Sequence, residues 1–332
     1  YQFTGDERYL VPAKINAYSM RNAARQSPMG YMSPVFWAQN DGGYGASYIK
    51  QWKADHPDKP VPAAQCTAPF QVGIGMRGLY KYWQETRDPA IRDALILAGK
   101  HLEQTAAREG DKYTGWQYTW ADYWQGKPFD KGTFTSSAGE MPGSVGFSYL
   151  VSGRPEFLKV AKDAVGTNDK ELDPRCWGIY EAMWVEKNET HNPPAAVTDL
   201  AAEATGPGQV KLTWTAPAGA TEYTVKQATA PLVEFVQFWN AEKKKGWPDM
   251  NDPLPINPQE WVKKAEDYTS KQEICFWAAK DVPGVPKPGK AGAKESVTLD
   301  KLAPGTYHFA LVAWDGNLNS SPTSNGTSMQ VK

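Results

Sequence analysis

The densest cluster of side chains able to bind or transform a ligand lies in residues 113–124, with the sequence YTGWQYTWADYW. These twelve residues contain six large aromatic side chains and one carboxylate, Asp122. Trp and Tyr combine a rigid apolar face with a hydrogen-bonding tip, and such faces suit stacking on sugar rings. Burial in a core is the alternative, because large aromatic side chains are highly buried on average. The segment therefore predicts either a sugar-binding site or a core contact.

Established catalytic motifs are missing from the sequence, which contains no GxSxG, HExxH, P-loop or paired CxxC pattern. The four histidines are scattered and no pair stands at the spacing of metal ligands, so we predict no His-built metal site. The segment Asn40-Asp41-Gly42-Gly43 is typical of a turn, although its carboxylate and carbonyl groups are also ligands that calcium prefers. The cofactor therefore stays undetermined, with calcium as the one candidate.

Composition narrows the classes of protein. The chain has 36 basic and 37 acidic residues, and with a formal net charge of −1 it has no global field to hold nucleic acid. No apolar run approaches the roughly 20 residues of a membrane-spanning helix, so we expect no membrane span. Tyr1 is not an initiator Met, from which we expect that the chain is processed, excised or a fragment.

Three segments of similar sequence, at residues 4–10, 86–91 and 152–158, have the residues that begin helices. Each carries a capping Thr, Ser or Asp, and Pro follows in the last two copies. Apolar residues at helical spacing come after each turn. Two further helices are predicted at residues 70–85 and at about 144–151. A helix, a short turn and a helix, repeated along the chain, predict a stacked array of helical hairpins.

The turn TGDERYL at residues 4–10 and its two looser copies resemble the hairpin turns of (α/α) toroid proteins. This is an architecture of polysaccharide lyases, glycoside hydrolases and related carbohydrate epimerases. The resemblance covers roughly residues 1–186 and implies an architecture, without a catalytic motif that transfers residue by residue. It also implies a ligand funnel, lined by the connections at residues 27–69, 109–142 and 166–187. Because the array opens on a helix without its partner, we expect its N-terminal portion to be missing or to lie on another chain.

Aromatic and polar residues on these connections form the predicted substrate site. Connections this long are usually functional or disordered. We predict substrate binding by Trp37, Asn40, Asp41, Tyr44, Trp116, Trp120, Trp124, Arg175 and Trp177. A short helix in the third connection is the alternative there, and it would make the aromatic residues of that connection packing residues.

Asp122 is the candidate catalytic group for hydrolysis. Hydrolysis of a glycosidic bond needs two carboxylates that flank it, and Asp41, Asp122 or Glu140 can supply them. Each is alternatively an ordinary surface or packing residue, because a perturbed environment is not visible in a sequence.

Tyr118 is the candidate catalytic group for elimination. A lyase that acts on a uronic acid needs a base and a cation that neutralises the substrate carboxylate. Tyr118 or Tyr44, together with Arg175, fits these two roles. Elimination and hydrolysis both stay open.

Helical spacing gives way to alternation after the stretch HNPPAAV at residues 191–197. Residues 210–214 and 223–226 alternate with period two, as half-buried strands do. Residues 302–315 form a turn that enters a longer alternating strand. These changes predict a domain boundary near residue 193.

The later residues resemble a fibronectin type III module over about residues 195–332. The resemblance lies in VTDL, in a core Trp214 on the second strand, in LAPGTYHF with Tyr307 as the tyrosine corner, and in the loop DGNLNSSPTSN. The sequence departs from that family by an insertion at residues 231–273. Within the insertion, NPQEW at residues 257–261 predicts the start of a helix.

The predicted fold is a multidomain α + β chain. Residues 1–190 form an (α/α) toroid portion, 191–196 a linker, and 197–332 an all-β fibronectin type III-like sandwich with a helical insertion. We expect a secreted, periplasmic or cell-surface carbohydrate-active protein that degrades polysaccharide as a lyase or glycoside hydrolase, and whether it is an enzyme stays open. The alternative is a non-catalytic glycan-binding or structural subunit that completes its toroid with a second chain. A polysaccharide or oligosaccharide is the expected partner in either case.

Overall fold

In the part of the chain that the structure describes, helices predominate up to residue 188 and strands predominate from residue 201. The computed structural model describes residues 6–26, 69–116, 140–165, 177–189, 191–234 and 273–332, with residues 54 and 57. The described residues divide into two compact units. A helical unit takes those within residues 1–149 and 155–184, and a sandwich unit takes residues 150–154 and those within 185–237 and 269–332. The domain boundary near residue 193 stays a prediction.

Six α-helices lie in the part of the chain that the structure describes. They are α1 (Leu10–Gln26), α2 (Pro69–Thr86), α3 (Pro89–Thr105), α4 (Glu140–Leu150), α5 (Pro155–Val165) and α6 (Trp177–Asn188). The helices predicted at 70–85 and 144–151 are therefore confirmed as α2 and α4, although α4 begins four residues earlier. None of these helices is long and apolar enough to cross a membrane.

The predicted turns begin helices for the expected chemical reason. Asp88 accepts a hydrogen bond from the backbone of Ala90, and Pro89 fills the first helical position of α3. Asp6 caps a short 3-10 turn, Glu7–Tyr9, that leads into α1. Helices α2 and α3 pack against each other and form one helical hairpin. The closed toroid that the hairpin turns resemble stays a prediction.

Helix α3 lies in the middle of the helical core. Its apolar residues Ile91, Leu95 and Leu102 are fully buried. The hydroxyl of Ser148 on α4 donates to the backbone carbonyl of Leu95 at 2.8 Å. An added Cβ on Gly99 would overlap that same serine, which shows how closely α3 and α4 approach.

A two-stranded hairpin follows α3 and was not expected from the sequence. Strands β1 (Ala107–Glu109) and β2 (Lys112–Gly115) pair antiparallel around a turn that contains Gly110 at a φ of 60°. Gly suits this turn because a positive φ costs it no steric clash. Strand β2 contains the first three residues of the aromatic segment 113–124.

The sandwich unit contains two antiparallel sheets that share one core. Its strands are β3 (Ala201–Gly206), β4 (Gln209–Thr215), β5 (Glu222–Ala228), β6 (Leu232–Val233), β7 (Ile274–Cys275), β8 (Lys280–Asp281), β9 (Lys294–Leu299), β10 (Gly305–Trp314) and β11 (Thr327–Val331). One sheet has the order β3-β4-β9 and the other has β11-β10-β5-β8. Trp214 on β4 is fully buried and meets Tyr223 edge to face at 5.3 Å, so its predicted core position is confirmed. Tyr307 packs against the same core and stacks on Phe309.

A parallel pair of short strands joins the two ends of the predicted insertion. Leu232 of β6 pairs with Ile274 of β7, and Val233 pairs with Cys275. The backbone N–H of Ile274 also donates to the carbonyl of Pro231 at 2.9 Å. The insertion therefore leaves and rejoins the sandwich at one place. Its residues 235–272, with the predicted helix start, lie outside the described residues.

One carboxylate ties the beginning of the sandwich to two strands. Asp199 accepts hydrogen bonds from the hydroxyl of Thr215 on β4 at 2.5 Å and from the ammonium of Lys294 on β9 at 2.9 Å. These hydrogen bonds favour the charged form and lower the pKa of Asp199 to about 2.

The segment Leu150–Arg154 belongs to the sandwich unit and is held there by polar contacts. The carbonyl of Ser152 accepts from both the backbone N–H and the hydroxyl of Ser320, at 2.9 and 3.0 Å. Gly153 adopts a φ of 64° against Asn319, where an added Cβ would overlap the amide of that asparagine. Arg154 forms an ion pair with Glu234. Gly153 is therefore required both by its backbone angle and by the space available.

Candidate functional site

Most residues of the predicted site lie outside the described residues. Among them are the two catalytic candidates, Asp122 and Tyr118. The others are the substrate-binding candidates Trp37, Asn40, Asp41, Tyr44, Trp120, Trp124 and Arg175. Two predicted residues, Trp116 and Trp177, are described. Their surroundings show what the helical unit offers a ligand.

Trp116 lies in the core of the helical unit. Its side chain is 2% exposed, and the indole Nε1 donates to the backbone carbonyl of Leu102 on α3 at 2.7 Å. A buried indole with its polar tip satisfied is the ordinary arrangement of a core tryptophan. Trp116 therefore anchors the beginning of the aromatic segment to α3. The predicted role of Trp116 in stacking on a sugar stays a prediction.

Trp177 is the first residue of α6 and is half-buried among aromatic side chains. Its ring centroid lies 4.4 Å from that of Phe147 on α4 and 5.6 Å from that of Tyr80 on α2. The ammonium of Lys81 lies 4.8 Å from the Trp177 ring centroid, a favourable position for a cation over an aromatic face. Trp177 thus combines an aromatic ring with a nearby cation at the meeting point of three helices.

Tyr80 brings polar chemistry to the same place. Its ring is 3% exposed, and its hydroxyl donates to Oε1 of Glu181 on α6 at 3.0 Å. The side chain of Gln84, one turn further along α2, is hydrogen-bonded to the same hydroxyl. Burial, and after it the nearby Glu181 carboxylate, raise the pKa of Tyr80 far above its ordinary value. Tyr80 therefore keeps its proton and acts as a hydrogen-bond donor at any physiological pH.

Two glycines allow α6 to reach this position. A Cβ built on Gly146 of α4 would lie 2.6 Å from the backbone carbonyl atoms of Gly178 on α6. A Cβ on Gly178 would in turn overlap the carbonyl of Gly143 and come within 2.6 Å of Phe147. Only glycine permits two helix backbones to approach this closely, so the pair sets the distance between α4 and α6. That distance places Glu181 within reach of Tyr80.

Sequence reasoning did not include the most exposed aromatic side chain of α6 in the site. Trp184 is 60% exposed, and Tyr180 stands one turn before it, half-buried. Trp177, Tyr180, Glu181 and Trp184 follow the spacing i, i+3, i+4 and i+7, which places them on one face of the helix. This spacing is visible in the sequence once α6 is accepted as a helix. Glu181 and Tyr80, which are 101 residues apart, had no such local signal.

A second polar cluster fixes the start of the aromatic segment. The hydroxyl of Tyr113 donates to Oε1 of Glu103 at 2.7 Å, and Arg108 donates to the same carboxylate oxygen at 2.6 Å. The ammonium of Lys100 lies 2.8 Å from the other oxygen. Burial, followed by the hydrogen bond to Glu103, raises the pKa of Tyr113. With both of its oxygens held by positive side chains, Glu103 is a structural carboxylate.

Metal ligands do not gather in the described residues, where no group of three or more His, Cys, Asp or Glu side chains lies close enough to hold an ion. Cys275 on β7 is buried, and its thiol donates to the backbone carbonyl of Glu234 at 3.2 Å. Burial raises the pKa of the Cys275 thiol to about 12. The thiolate needed for metal binding or nucleophilic attack is therefore disfavoured at this position.

Comparison with known proteins gives distant structural similarity alone. No protein-family model matches the sequence, and no curated protein matches it at a significant level. Among solved structures, the crystal structure of an Fn3-like protein from Clostridium thermocellum covers 42% of this chain and 96% of its own length. The identity is 15% and the TM-score is 0.23.

Proposed function

We propose that this chain is a secreted carbohydrate-active protein that acts in polysaccharide degradation, as a lyase or a glycoside hydrolase. The proposed architecture is the terminal portion of an (α/α) toroid followed by a fibronectin type III module. The observation that carries the proposal is the site between α2, α4 and α6, where Trp177 lies beside the polar groups of Tyr80, Gln84, Glu181 and Lys81.

The composition of this site supports a sugar as its ligand. A pyranose ring has an apolar face and a rim of hydroxyl groups, so it needs an aromatic surface with hydrogen-bond donors and acceptors around it. Glu181 offers acceptor oxygens, Gln84 offers an amide, and Lys81 offers donors and a positive charge. The buried Tyr80 hydroxyl fixes the position of the Glu181 carboxylate. A site with its polar groups held in advance loses less entropy when a ligand binds.

The proposed catalytic groups remain Asp122 and Tyr118, on the connection at residues 109–142. In hydrolysis, Asp122 would act with a second carboxylate on opposite sides of the glycosidic bond. In elimination, Tyr118 would remove the proton next to the uronate carboxylate, which a cation neutralises. Tyr80 does not fit the role of base, because its raised pKa keeps it protonated.

Binding and turnover on a panel of polysaccharides test this proposal. Affinity electrophoresis in gels that contain neutral and acidic polysaccharides should show retardation of the wild-type chain. Trp177→Ala should reduce the retardation, and Val11→Ala, an exposed apolar residue of α1, serves as the matched control. Reducing-end release and absorbance of unsaturated uronates should then distinguish hydrolysis from elimination, with Asp122→Ala and Tyr118→Phe as variants. Absence of both retardation and turnover on every polymer would refute the proposal.

A non-catalytic subunit is the second candidate function, and exposed apolar residues on α1 favour it. Val11 and Ile15 are 61% and 65% exposed and stand four residues apart, on one side of the helix. In a stacked helical array such a side is normally covered by a neighbouring hairpin. A second chain that completes the array would therefore bind here. Polysaccharide binding without turnover, together with a larger assembly that Ile15→Asp disrupts, would favour this function over an enzyme.

A further inference from the structure

Two cationic side chains of the helical unit lie over aromatic rings. The ammonium of Lys81 on α2 lies 4.8 Å from the ring centroid of Trp177. The guanidinium of Arg87, the first residue after α2, lies 4.3 Å from the ring centroid of Trp83. Both cationic side chains are exposed. Gln84 stands midway between them in the sequence, and a spacing of three residues places helical side chains on the same side.

The rings beneath these two cations belong to one aromatic group. Tyr80 stacks on Trp83 with the ring centroids 5.8 Å apart, and the centroid of Tyr80 lies 5.6 Å from that of Trp177. Burial is the main reason why the pKa of Tyr80 is raised, and the positive charge of Arg87 acts in the opposite direction. The guanidinium of Arg87 therefore acts on the hydroxyl that holds Glu181 in place. Both cations border the site of the proposed function.

Neither cation is neutralised within the part of the chain that the structure describes. No carboxylate of the described residues forms an ion pair with Lys81 or Arg87. Elsewhere in the same unit, Lys100 and Arg108 both form ion pairs with Glu103. Exposed positive charges without a counter-charge raise the local concentration of anions. The chemistry of this edge of the site therefore suits a negatively charged ligand.

The backbone of Arg87 adopts a conformation that is unusual for an arginine. Its φ is 52°, and its backbone N–H donates to the carbonyl of Trp83 at 2.7 Å. Many helices end in this way, but Gly or Asn normally occupies the position because a larger side chain is strained there. The contact with the Trp83 ring offsets part of that strain. Strained residues of this kind cluster at ligand-binding sites, where the strain positions a functional group.

We propose that Lys81 and Arg87 select an anionic glycan, with carboxylate or sulfate groups on its sugar rings, as the ligand of the site between α2, α4 and α6. This inference rests on the proposed function and names its substrate class. The planar guanidinium of Arg87 donates two parallel hydrogen bonds to one anionic group, and the ammonium of Lys81 binds another as a point charge. With a rise of 1.5 Å per residue, the two positions are roughly 9 Å apart along the helix axis, so they serve different sugar rings. Glu181, held by Tyr80, accepts from sugar hydroxyl groups.

Binding of the full chain to matched charged and neutral polysaccharides tests the inference. Polygalacturonate and alginate supply carboxylates, and dextran sulfate supplies sulfates. The carboxyl-reduced polymers and unmodified dextran are their neutral counterparts. Isothermal calorimetry should show that a charged polymer binds about tenfold more tightly than its neutral counterpart, and that added salt weakens this preference. The polymer that binds best shows whether carboxylate or sulfate is recognised.

Variants that remove one charge locate the recognition at the end of α2. Arg87→Gln should weaken binding of the charged polymer about tenfold, as the loss of a hydrogen bond to a charged group does, and should leave binding of the neutral counterpart unchanged. Lys81→Gln should have a smaller effect in the same direction. Arg87→Lys should keep part of the affinity because it keeps the charge. Lys14→Gln is the matched control and should change neither affinity, because Lys14 is an exposed cation over the ring of Tyr18 on α1.

Arg87→Gly separates recognition of the ligand from stability of the fold. Glycine adopts the positive φ of this position without strain, whereas glutamine keeps the strain of the arginine. The thermal midpoint of Arg87→Gly should therefore equal or exceed that of Arg87→Gln. Both variants lack the guanidinium, so both should lose the same affinity for the charged polymer. An equal loss of affinity at different stabilities would assign that loss to the missing charge.

The outcomes separate this inference from the proposed function. If the wild type binds charged and neutral polymers equally, the inference is wrong and the proposed function stands. The same holds if Arg87→Gln and Lys81→Gln bind the charged polymer as tightly as Lys14→Gln does. If Arg87→Gln weakens binding of charged and neutral polymers equally, the arginine supports the fold of the site and selects no charge, so the inference is also wrong. If the wild-type chain binds no polymer, both are wrong.

Discussion

Replacing Gly146 with alanine should force α6 away from α4. The added Cβ would lie 2.6 Å from the carbonyl carbon and oxygen of Gly178 and 2.7 Å from the backbone nitrogen of Ile179. These are backbone atoms inside a helix, so they cannot rotate out of the way as a side chain would. Ordinary carbon contacts begin at about 3.5 Å. Helix α6 must therefore shift by roughly 1 Å, and the hydrogen bond from Tyr80 to Glu181, now 3.0 Å, would be lost.

The cost of this shift has three parts. Forcing extra volume into a packed core typically costs about 1–3 kcal/mol. Loss of a hydrogen bond to a charged acceptor adds about 1.5–3 kcal/mol when the partners do not find new ones. Alanine has a higher helix propensity than glycine, and this offsets about 1 kcal/mol of the lost stability. Gly146→Ala should therefore lower the free energy of unfolding by about 1.5–5 kcal/mol.

Gly78 provides a matched control in the same unit. It lies inside α2, and in the described structure a Cβ built there meets no atom within 4 Å. Gly78→Ala should therefore raise the free energy of unfolding by about 0.5–1 kcal/mol. Urea unfolding followed by tryptophan fluorescence measures both variants. Equal stability of Gly146→Ala and Gly78→Ala would refute the close approach of α4 and α6.

Three further predictions concern ionisation and backbone geometry. The folded-state pKa of Tyr80 is raised, so the contribution of Tyr80 to stability is complete below its ordinary pKa of 10 and declines as the pH rises above 10. In urea unfolding, the wild type should therefore lose more stability between pH 10 and 11 than Tyr80→Phe does. The pKa of Asp199 is lowered from 3.8 to about 2, so its contribution to stability is present above pH 3.8 and is lost as the pH falls through 2. Asp199→Asn should therefore cost under about 1 kcal/mol at pH 7 and nothing once the pH is well below 2. Gly153 and Gly219 both have a positive φ, so alanine at either position should lower stability by about 1–2 kcal/mol. Only Gly153 also faces Asn319, so Gly153→Ala should lower the thermal midpoint more than Gly219→Ala in thermal unfolding.

Local signals were sufficient to predict some of the helices and strands that the structure describes, among them α2, α4 and β4. The cap at Asp88 and the proline after it act within a few residues, so they determine the start of α3 wherever the chain is folded. Strand β4 alternates between buried and partly exposed residues in the order that period two requires, with Trp214 inward. Such features are encoded by neighbours in the sequence, and a single sequence is enough to find them.

Contacts between distant segments were not predictable in the same way. Gly146 and Gly178 look like ordinary glycines in their helices, and their role depends on two helices that meet in space. Gly78 also lies inside a helix, yet it has open space around it. Glu181 acquires its hydrogen bond from Tyr80 only through this approach. The core of the site is therefore a product of tertiary packing, and no periodic pattern in the sequence encodes it.

The state of Tyr80 also restricts the chemistry of the helical unit. Elimination requires a base whose proton affinity is matched to the pH, and a tyrosine meets that need when nearby positive charge lowers its pKa. Tyr80 has the opposite surroundings, since burial and the Glu181 carboxylate both raise its pKa. The pKa of Tyr113 is raised for the same reasons, by burial and by its hydrogen bond to Glu103. These two buried tyrosines serve as proton donors that hold carboxylates in place. Neither tyrosine therefore fits the role of the base, which is proposed for Tyr118, and the role proposed for Tyr80 and Glu181 is to orient the sugar.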